Sequence, residues 1–484
     1  MSGSYDIAII GNGILGLTTA RALFREAPDM RIALIGPNQR NGSATMAAGA
    51  MLALWGEVEV NQFRHKDLAE RFKIPERGFS LWQKFADDLG EEAGVDLPVH
   101  WGTYVLNTAS GTELEDRSFD YMVEALKRRQ IEVEILRSHQ VDFIEPRSHL
   151  RPLRVAKIPD GMVDARRVVA AFDTVIDGIA GITRFDDRAV NLKIEAGSHE
   201  VGLADGTRIK AGRVLLANGA FAQDLVDQIP DLATSVPRLI FNAGTGIDAT
   251  FRPFLREQSM VPKPLDELRN VVRSLDRGGA CGIHVVPYGD GRFYLGASSG
   301  SMLEPFEGAT LHGLHALLGS AEQEIHAAFF KAIVQPRATG FRPLSADAFP
   351  LLGESVIPGI WFLNGTKRDG FTSSPFLSRE MAKALVHDKS ELPERFRPSR
   401  KLISYRNRPE AIEMTYLGWL AGDYAHGLSL PGHRVGTWHN GHKANIEALY
   451  DKRGIQEFGV HPEIMYFLAS DATYRYVDQP REID

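Results

Sequence analysis

The sequence predicts an α/β protein, and three observations carry that prediction. A strand, a glycine-rich turn, a helix and a second strand follow one another between Asp6 and Pro37. A second glycine-containing strand–loop–helix unit runs from Ile360 into a helix placed near Ser374. Between them, residues 237–300 alternate short apolar runs with glycine and aspartate turns, the pattern of antiparallel strands.

The first unit is the most specific. Ile7, Ala8, Ile9 and Ile10 form a short apolar run, as a strand covered on both faces requires. Gly11-Asn12-Gly13-Ile14-Leu15-Gly16 is a complete G-x-G-x-x-G. The first glycine permits a tight turn, the second lets the backbone approach a pyrophosphate, and the third lets the helix close on the strand. From Ile14 to Glu26, Leu17, Ala20, Leu23 and Phe24 share one helical face, and Pro28 lies beyond the end. That helix aims its N–H groups and dipole at the phosphates. Arg31 to Ile35 is the second strand. Strand before and helix after make this a Rossmann-like nucleotide site; the bland reading is a glycine turn used only for packing. An acidic residue commonly ends the second strand and binds the adenosine ribose, but Gly36 and Pro37 stand there. Asn38 or Gln39 is then the candidate ribose contact. Gly36 with Arg40 nearby also leaves an NADP-binding enzyme or a nucleotide-binding regulator open.

Composition narrows the class. A chain of 484 residues is long enough for two or three domains. Its net charge of −7 argues against nucleic acid or an anionic membrane as partner. No run of about 18 apolar residues occurs, so no membrane span is expected. The one cysteine, Cys281, excludes an intrachain disulfide and suits a reducing compartment. The first strand begins directly after Met1-Ser2-Gly3-Ser4, leaving no room for a signal segment, so a cytoplasmic location is expected.

Further along, Gly42 to Leu52 is rich in small residues and hydroxyls. Such a stretch suits a backbone pressed against a flat ring, with Ser43 or Thr45 free to bond a phosphate, or else a small-residue helix start packed on the sheet. Gly78 to Leu89, with Phe79, Trp82, Phe85 and Leu89, reads as a helix; Trp101 to Leu106 as a strand; Phe119 to Arg129 as a helix. Ile158 to Asp164 reads as a turn, with Asp164 the N-cap of a helix over Ala165 to Val175. Val201 to Leu216 reads as a hairpin turning at Asp205-Gly206, and Cys281 to Gly296 as another. Leu311 to Val334 is expected to be mostly helical. After about residue 390, helices are expected over 409–421, 443–450 and 462–469. His433, His439 and His442 lie close together there, but Trp438 to His442 reads as turn-like and completes no metal pattern, so no metal is expected.

Taken together, these blocks resemble the FAD-dependent D-amino-acid oxidase superfamily, nearest in pattern to its glycine oxidase-like members. The resemblance spans roughly residues 5–388. It is carried by the glycine motif, Ser43-Ala44-Thr45 through Leu52, Asp160 to Asp164, and Leu216 to Ala220. Gly340-Phe341-Arg342-Pro343 with Asp347, Pro350 and Gly353, and the Asn364 to Thr372 loop, complete it. It implies an FAD-binding Rossmann-like domain, discontinuous over 1–55, 151–235 and 335–388, interleaved with an antiparallel-sheet substrate domain over 56–150 and 236–334. Residues 389–484 are left as a helical C-terminal extension with a packing or pocket-covering role.

The resemblance also assigns residues. Gly11, Gly13 and Gly16, with Ile14 beside them, hold the pyrophosphate; Ser43, Thr45, Ala48 and Gly49 line phosphate and flavin; Ala217 and Asn218 close the adenosine side. Gly370, Phe371 and Thr372 offer N–H groups to the flavin pyrimidine, where negative charge gathers on reduction. Arg342 is the expected clamp on a substrate carboxylate, its fork matched to two oxygens; the bland reading is a buried structural ion pair. His284 stands where relatives often carry a tyrosine, and packing alone explains it equally well. Arg368 is a candidate for the pocket rim, or a solvated loop charge. Sarcosine oxidases attach flavin to a cysteine near the Arg342 block; none lies there, so noncovalent FAD is expected, with Cys281 a small buried residue. The implied reaction is oxidation of a C–N bond in an amino acid or N-substituted amino acid by hydride transfer to flavin, giving an imine that hydrolyses. The electrons then pass to oxygen or, in a dehydrogenase, to a carrier. A homo-oligomer is left open.

Overall fold

The structure is a computed structural model that describes residues 4–107, 112–147, 154–251, 263–275, 282–337, 339–425, 431–469 and 480–483. The expected hydrophobic strand is at its centre. Ser4–Ile10 pairs in parallel with Ile32–Ile35 on one side and Arg208–Leu216 on the other. Successive side chains of a strand point to opposite faces. Ile7 and Ile9 accordingly enter one core, and Ala8 and Ile10 another. The full eight-stranded sheet runs Leu351–Glu354, Ile360–Asn364, Arg208–Leu216, Ser4–Ile10, Ile32–Ile35, Ile182–Phe185, with the strands Ala189–Glu195 and Ser198–Leu203 folded back beside Arg208–Leu216. The hairpin turns where expected, with Gly206 at φ +89°.

Helices Ile14–Glu26, Lys66–Ala93, Ala165–Asp177 and Gly370–His387 pack against the Ile7/Ile9 face. Asp164 caps the third, its carboxylate accepting from the Arg166 and Arg167 N–H groups at 2.9 and 3.3 Å. The second helix is longer than the 78–89 expected, because Pro75 is absorbed within it. The fourth starts at Gly370, four residues before Ser374. Pro375 has no N–H for the carbonyl of Phe371, one helical turn back. That carbonyl instead accepts the Trp82 indole N–H at 3.0 Å and the Ser374 hydroxyl at 2.9 Å. The two helices meet tightly there: a Cβ on Gly78 would lie 2.2 Å from the Thr372 carbonyl oxygen.

A nine-stranded sheet, almost all antiparallel, stands beside the first. Its order is Ile333–Pro336, Ile247–Thr250, Arg292–Gly296, His284–Gly289, Val271–Ser274, His100–Asn107, Arg154–Met162 and Met51–Leu52, with Glu134–Arg137 also on Arg154–Met162. The hairpin between Gly289 and Arg292 turns at Asp290 and Gly291, φ +54° and +66°, the left-handed pair a tight hairpin needs. A three-stranded sheet, Gly300–Met302, Leu239–Gly244 and Gly340–Ser345, completes this part.

Three expectations need correction. Ile158 to Met162 is strand, not turn: Pro159 is tolerated because it sits where the pairing register with Trp101 and Thr103 shifts. Strands Met51–Leu52 and Arg154–Met162 pair in the nine-stranded sheet, although 1–55 and 151–235 were assigned to the nucleotide part. Helix Lys66–Ala93 belongs to the core of the eight-stranded sheet, although 56–150 was assigned to the substrate part. Leu311 to Val334 is mostly helical, as expected, through Lys331, and Ile333–Pro336 follows as an edge strand.

The C-terminal extension packs as helices Arg408–Ala425 and Val435–Lys452 and a helical turn Pro462–Ala469. Ile412, Ile446, Tyr450, Ile464 and Met465 close over Ile240, Leu344 and Ala348 of the main body. Trp438 to His442 lies within a helix, not a turn, although most of the segment is exposed. His439 meets the Tyr416 hydroxyl at 3.0 Å and His442 meets Asp423 at 3.0 Å. No group of three or more His, Cys, Asp or Glu suited to a metal occurs among the described residues. No helix among them is long and apolar enough to cross a membrane.

Candidate active site

A cavity of about 590 Å³ runs from Pro37 and Val190 at one end to His284, Arg342 and Arg368 at the other. Gly11, Gly13, Ile14, Ser43, Thr45, Ala48, Gly49, Ala217, Asn218, Gly370, Phe371 and Thr372 all line it. Gly16 does not. A Cβ there would lie 1.8 Å from the Gly11 carbonyl oxygen, so this glycine serves helix closure and not pyrophosphate contact.

The end nearest the first sheet is built of backbone. Gly11 has φ +117°, and a Cβ on it would lie 2.5 Å from the Ala217 carbonyl carbon. Gly13 precedes the helix, and its neighbour Ile14 donates its N–H to the Thr45 hydroxyl at 3.0 Å. The ribose position is explained sterically. Asn12 donates to the carbonyls of Gly36 and Pro37 at 2.9 and 3.0 Å, and a Cβ on Gly36 would lie 2.6 Å from the Asn12 side-chain oxygen. Gln39 lines the cavity, whereas Asn38 is turned to Asp186. Arg40, which kept an NADP site open, is buried and forks onto Asp173 at 2.6 and 3.0 Å. The Asn218 side-chain oxygen is buried with no hydrogen-bond partner and sits on the cavity wall, the mark of a polar ligand that completes it.

The other end is built of charged side chains. Arg342 lies on Gly340–Ser345, opposite Asn242. Its guanidinium donates to the Asn242 side-chain oxygen at 3.0 Å and to the Ser298 carbonyl at 3.3 Å. Gly244 makes room, since a Cβ there would lie 2.3 Å from the guanidinium. Both partners are neutral, and no ion pair of Arg342 is present among the described residues. His284 is buried and stacked on Tyr294 at 5.7 Å. Burial first, then Arg273, Arg342 and Arg368, push its pKa well below the ordinary histidine value, so the ring is neutral. Its Nδ1 lies 3.3 Å from the Gly282 carbonyl, which places the proton on Nδ1 and leaves Nε2 an acceptor. Arg368 is no solvated loop charge: it faces Glu57 at 3.5 Å and Glu463 at 3.8 Å.

Several residues here were not singled out from the sequence. Arg273 and Glu57 pair at 2.7 Å on the cavity wall. Behind them Glu59 meets Arg406 at 2.8 Å and Arg71 faces Asp369 at 3.5 Å. A lone arginine in the apolar strand Val271–Ser274, and two carboxylates spaced by one residue at Glu57 and Glu59, were the available signals. Asp160 anchors this corner. Its carboxylate accepts the N–H groups of Leu54, Trp55 and Gly56 at 2.9–3.0 Å, yet burial still lifts its pKa to about 6.

Comparison with known proteins settles the family. Residues 6–384 match DAO, FAD dependent oxidoreductase. The chain belongs to the DAO family of FAD-dependent oxidoreductases. Glycine oxidase of Geobacillus kaustophilus (strain HTA426) is 25% identical over 388 residues, 78% of this chain and 91% of that protein. The crystal structure of glycine oxidase from Geobacillus kaustophilus superposes with a TM-score of 0.68 at 22% identity, over 82% of this chain and 99% of that one. Iminodiacetate oxidase from Chelativorans sp. BNC1 superposes with a TM-score of 0.62, also at 22% identity, over 81% of this chain and 98% of that one. The DAO cofactor is FAD, and the residues present fit it: a long cavity, a wall of backbone at Gly11 and Gly13 where a helix begins, and the orphaned Asn218 oxygen. Cys281 lies outside the described residues.

Proposed function

We propose that this DAO-family enzyme oxidises the C–N bond of an amino acid or N-substituted amino acid, with FAD bound noncovalently along the cavity. One observation carries the reading. A guanidinium without a carboxylate partner among the described residues faces the same cavity as the N-terminus of helix Gly370–His387. In the proposal Gly11, Gly13 and Ile14, with Ser43 and Thr45, hold the pyrophosphate. Ala217 and Asn218 take the adenosine side, and Ala48 and Gly49 border the ring. The N–H groups of Gly370, Phe371 and Thr372 face the pyrimidine edge, where a helix N-terminus favours negative charge. Bound FAD supplies the two-electron oxidation, taking a hydride from the carbon that bears the nitrogen.

Arg342 clamps the substrate carboxylate and so fixes that carbon relative to the ring. Arg368 and Arg273 add positive charge nearby. The burial and the cationic surroundings that keep His284 neutral also disfavour an ammonium, so the substrate enters as the free amine, and the Nε2 lone pair of His284 accepts its N–H. The released imine is hydrolysed by water. This reading carries with it interleaved cofactor and substrate domains, divided as the sheets divide them, and a cytoplasmic location.

The test is an absorbance spectrum of the purified protein, followed by anaerobic mixing with amino acids and N-alkyl amino acids. A yellow protein bleached by at least one such acid is the expected result. A yellow protein bleached by none of them contradicts the substrate class. Oxygen uptake during turnover then separates an oxidase from a dehydrogenase that uses a carrier.

A further inference from the structure

We infer that the C-terminal extension is part of the active site, with Glu463 a positioning residue that acts on the cavity through Lys367 and Arg368. The inference rests on the proposed substrate end of the cavity. The family match ends at residue 384, so it does not cover this carboxylate. Glu463 opens the helical turn Pro462–Ala469, which is anchored by Ile464 and Met465 in the core shared with Ile240 and Leu344. The carboxylate is almost wholly buried, 2.9 Å from Lys367 Nζ and 3.8 Å from Arg368. A buried carboxylate is tolerated only where cations offset its lost hydration.

Both cations line the cavity, immediately before the helix that starts at Gly370. Lys367 is held in the left-handed region, φ +52°, and donates its N–H to the Pro343 carbonyl at 3.0 Å, next to Arg342. Such a conformation in a residue other than glycine persists where its surroundings hold it. Arg368 also faces Glu57, which is already closer to Arg273, while Glu59 and Asp369, within electrostatic reach of Lys367 and Arg368, are engaged by Arg406 and Arg71. Glu463 therefore balances charge that Glu57 shares among guanidiniums. The extension supplies a second tie at the same corner, Arg406 to Glu59. Its His461 is kept neutral by burial and by Lys367, Arg406, Arg71 and Arg368, and accepts the Glu463 N–H at 3.2 Å.

The experiment titrates FAD-loaded protein with acetate, read by perturbation of flavin absorbance, and measures kcat with the acid found in the bleaching screen. In E463Q the cavity gains positive charge while its cations lose their anchor. Acetate is expected to bind at least about threefold more tightly, whereas kcat falls about tenfold, at unchanged FAD content and circular dichroism. E463D should stay near wild type, and E463Q/K367Q should return acetate affinity to near the wild-type value. Unchanged acetate affinity in a folded E463Q overturns the inference, and so does weaker binding of both acetate and FAD, which a purely structural role produces. If E463Q does not fold, K367Q carries the test: weaker acetate binding supports the role, and unchanged binding refutes it. Acetate needs no turnover, so this outcome is separable from a failure of the proposed substrate class.

Discussion

The two ends of the cavity are made of different material. The end proposed for adenosine and pyrophosphate is backbone: Gly11, Gly13, the start of helix Ile14–Glu26 and the Ala217–Asn218 turn. The proposed substrate end is side chain: Glu57, Arg273, His284, Arg342, Lys367 and Arg368, from segments far apart in the chain. Backbone recognition is steric and fails when one atom is added. Side-chain recognition is electrostatic and fails when one charge is removed. Mutations at the two ends should therefore separate cofactor retention from turnover.

The largest effect is expected at the backbone end. G16A puts a Cβ 1.8 Å from the Gly11 oxygen and should cost on the order of 4 kcal/mol, seen as FAD lost on gel filtration and a lowered Tm. Next, R342M should remain yellow and folded while kcat/KM falls about 10³-fold, about 4 kcal/mol of binding and positioning. R342K should fall between, because a point charge replaces the fork. A colourless R342M would erase the distinction between the ends.

Stability tests follow. D160A orphans the Leu54, Trp55 and Gly56 N–H groups, at an expected cost of about 3 kcal/mol in urea unfolding. The Asp160 carboxyl keeps its proton to about pH 6 when folded and releases it near 3.8 when unfolded. Its ionisation therefore lowers stability as pH rises through that window, and D160N should flatten that part of the profile. The smallest effect belongs to Glu59. Burial acts to raise its pKa, but Arg406, Arg71, Lys367 and Arg368 outweigh it and hold the pKa near 2. Its contribution is complete above about pH 4.5 and fades as pH falls toward 2, at most about 3 kcal/mol. E59Q should remove that acid dependence.

The same contrast explains what could be read from the sequence. The glycine motif, its flanking strand and helix, and the Asp164 cap are local, so spacing alone located them. For Gly16 the motif's own logic, helix closure, is what the structure shows, while the pyrophosphate contact added by resemblance is not made from the cavity wall. Gly36 looked like a missing acid, and only the Asn12 side chain shows why no larger residue fits there. Arg342 was singled out through resemblance and lines the cavity, but its neutral partners were not legible, since Asn242 and Ser298 reach it from distant segments. Glu463 lay beyond any reading: one of many acids in an aromatic-rich tail, paired with cations about a hundred residues earlier. The turn misread at Pro159 and the helix start misplaced at Ser374 share one cause. In both, a proline sits inside a regular element, accommodated at Pro159 by a register shift and at Pro375 by the Trp82 indole, neither of which local spacing shows.

The most direct measurement is an anaerobic titration of the yellow protein with the amino acid that bleaches it, set against the amine that lacks only the carboxylate. Bleaching by the acid at concentrations where the amine leaves the spectrum unchanged is the predicted result. Equal bleaching by both would contradict a carboxylate clamp at Arg342, and with it the assignment of the charged end of the cavity.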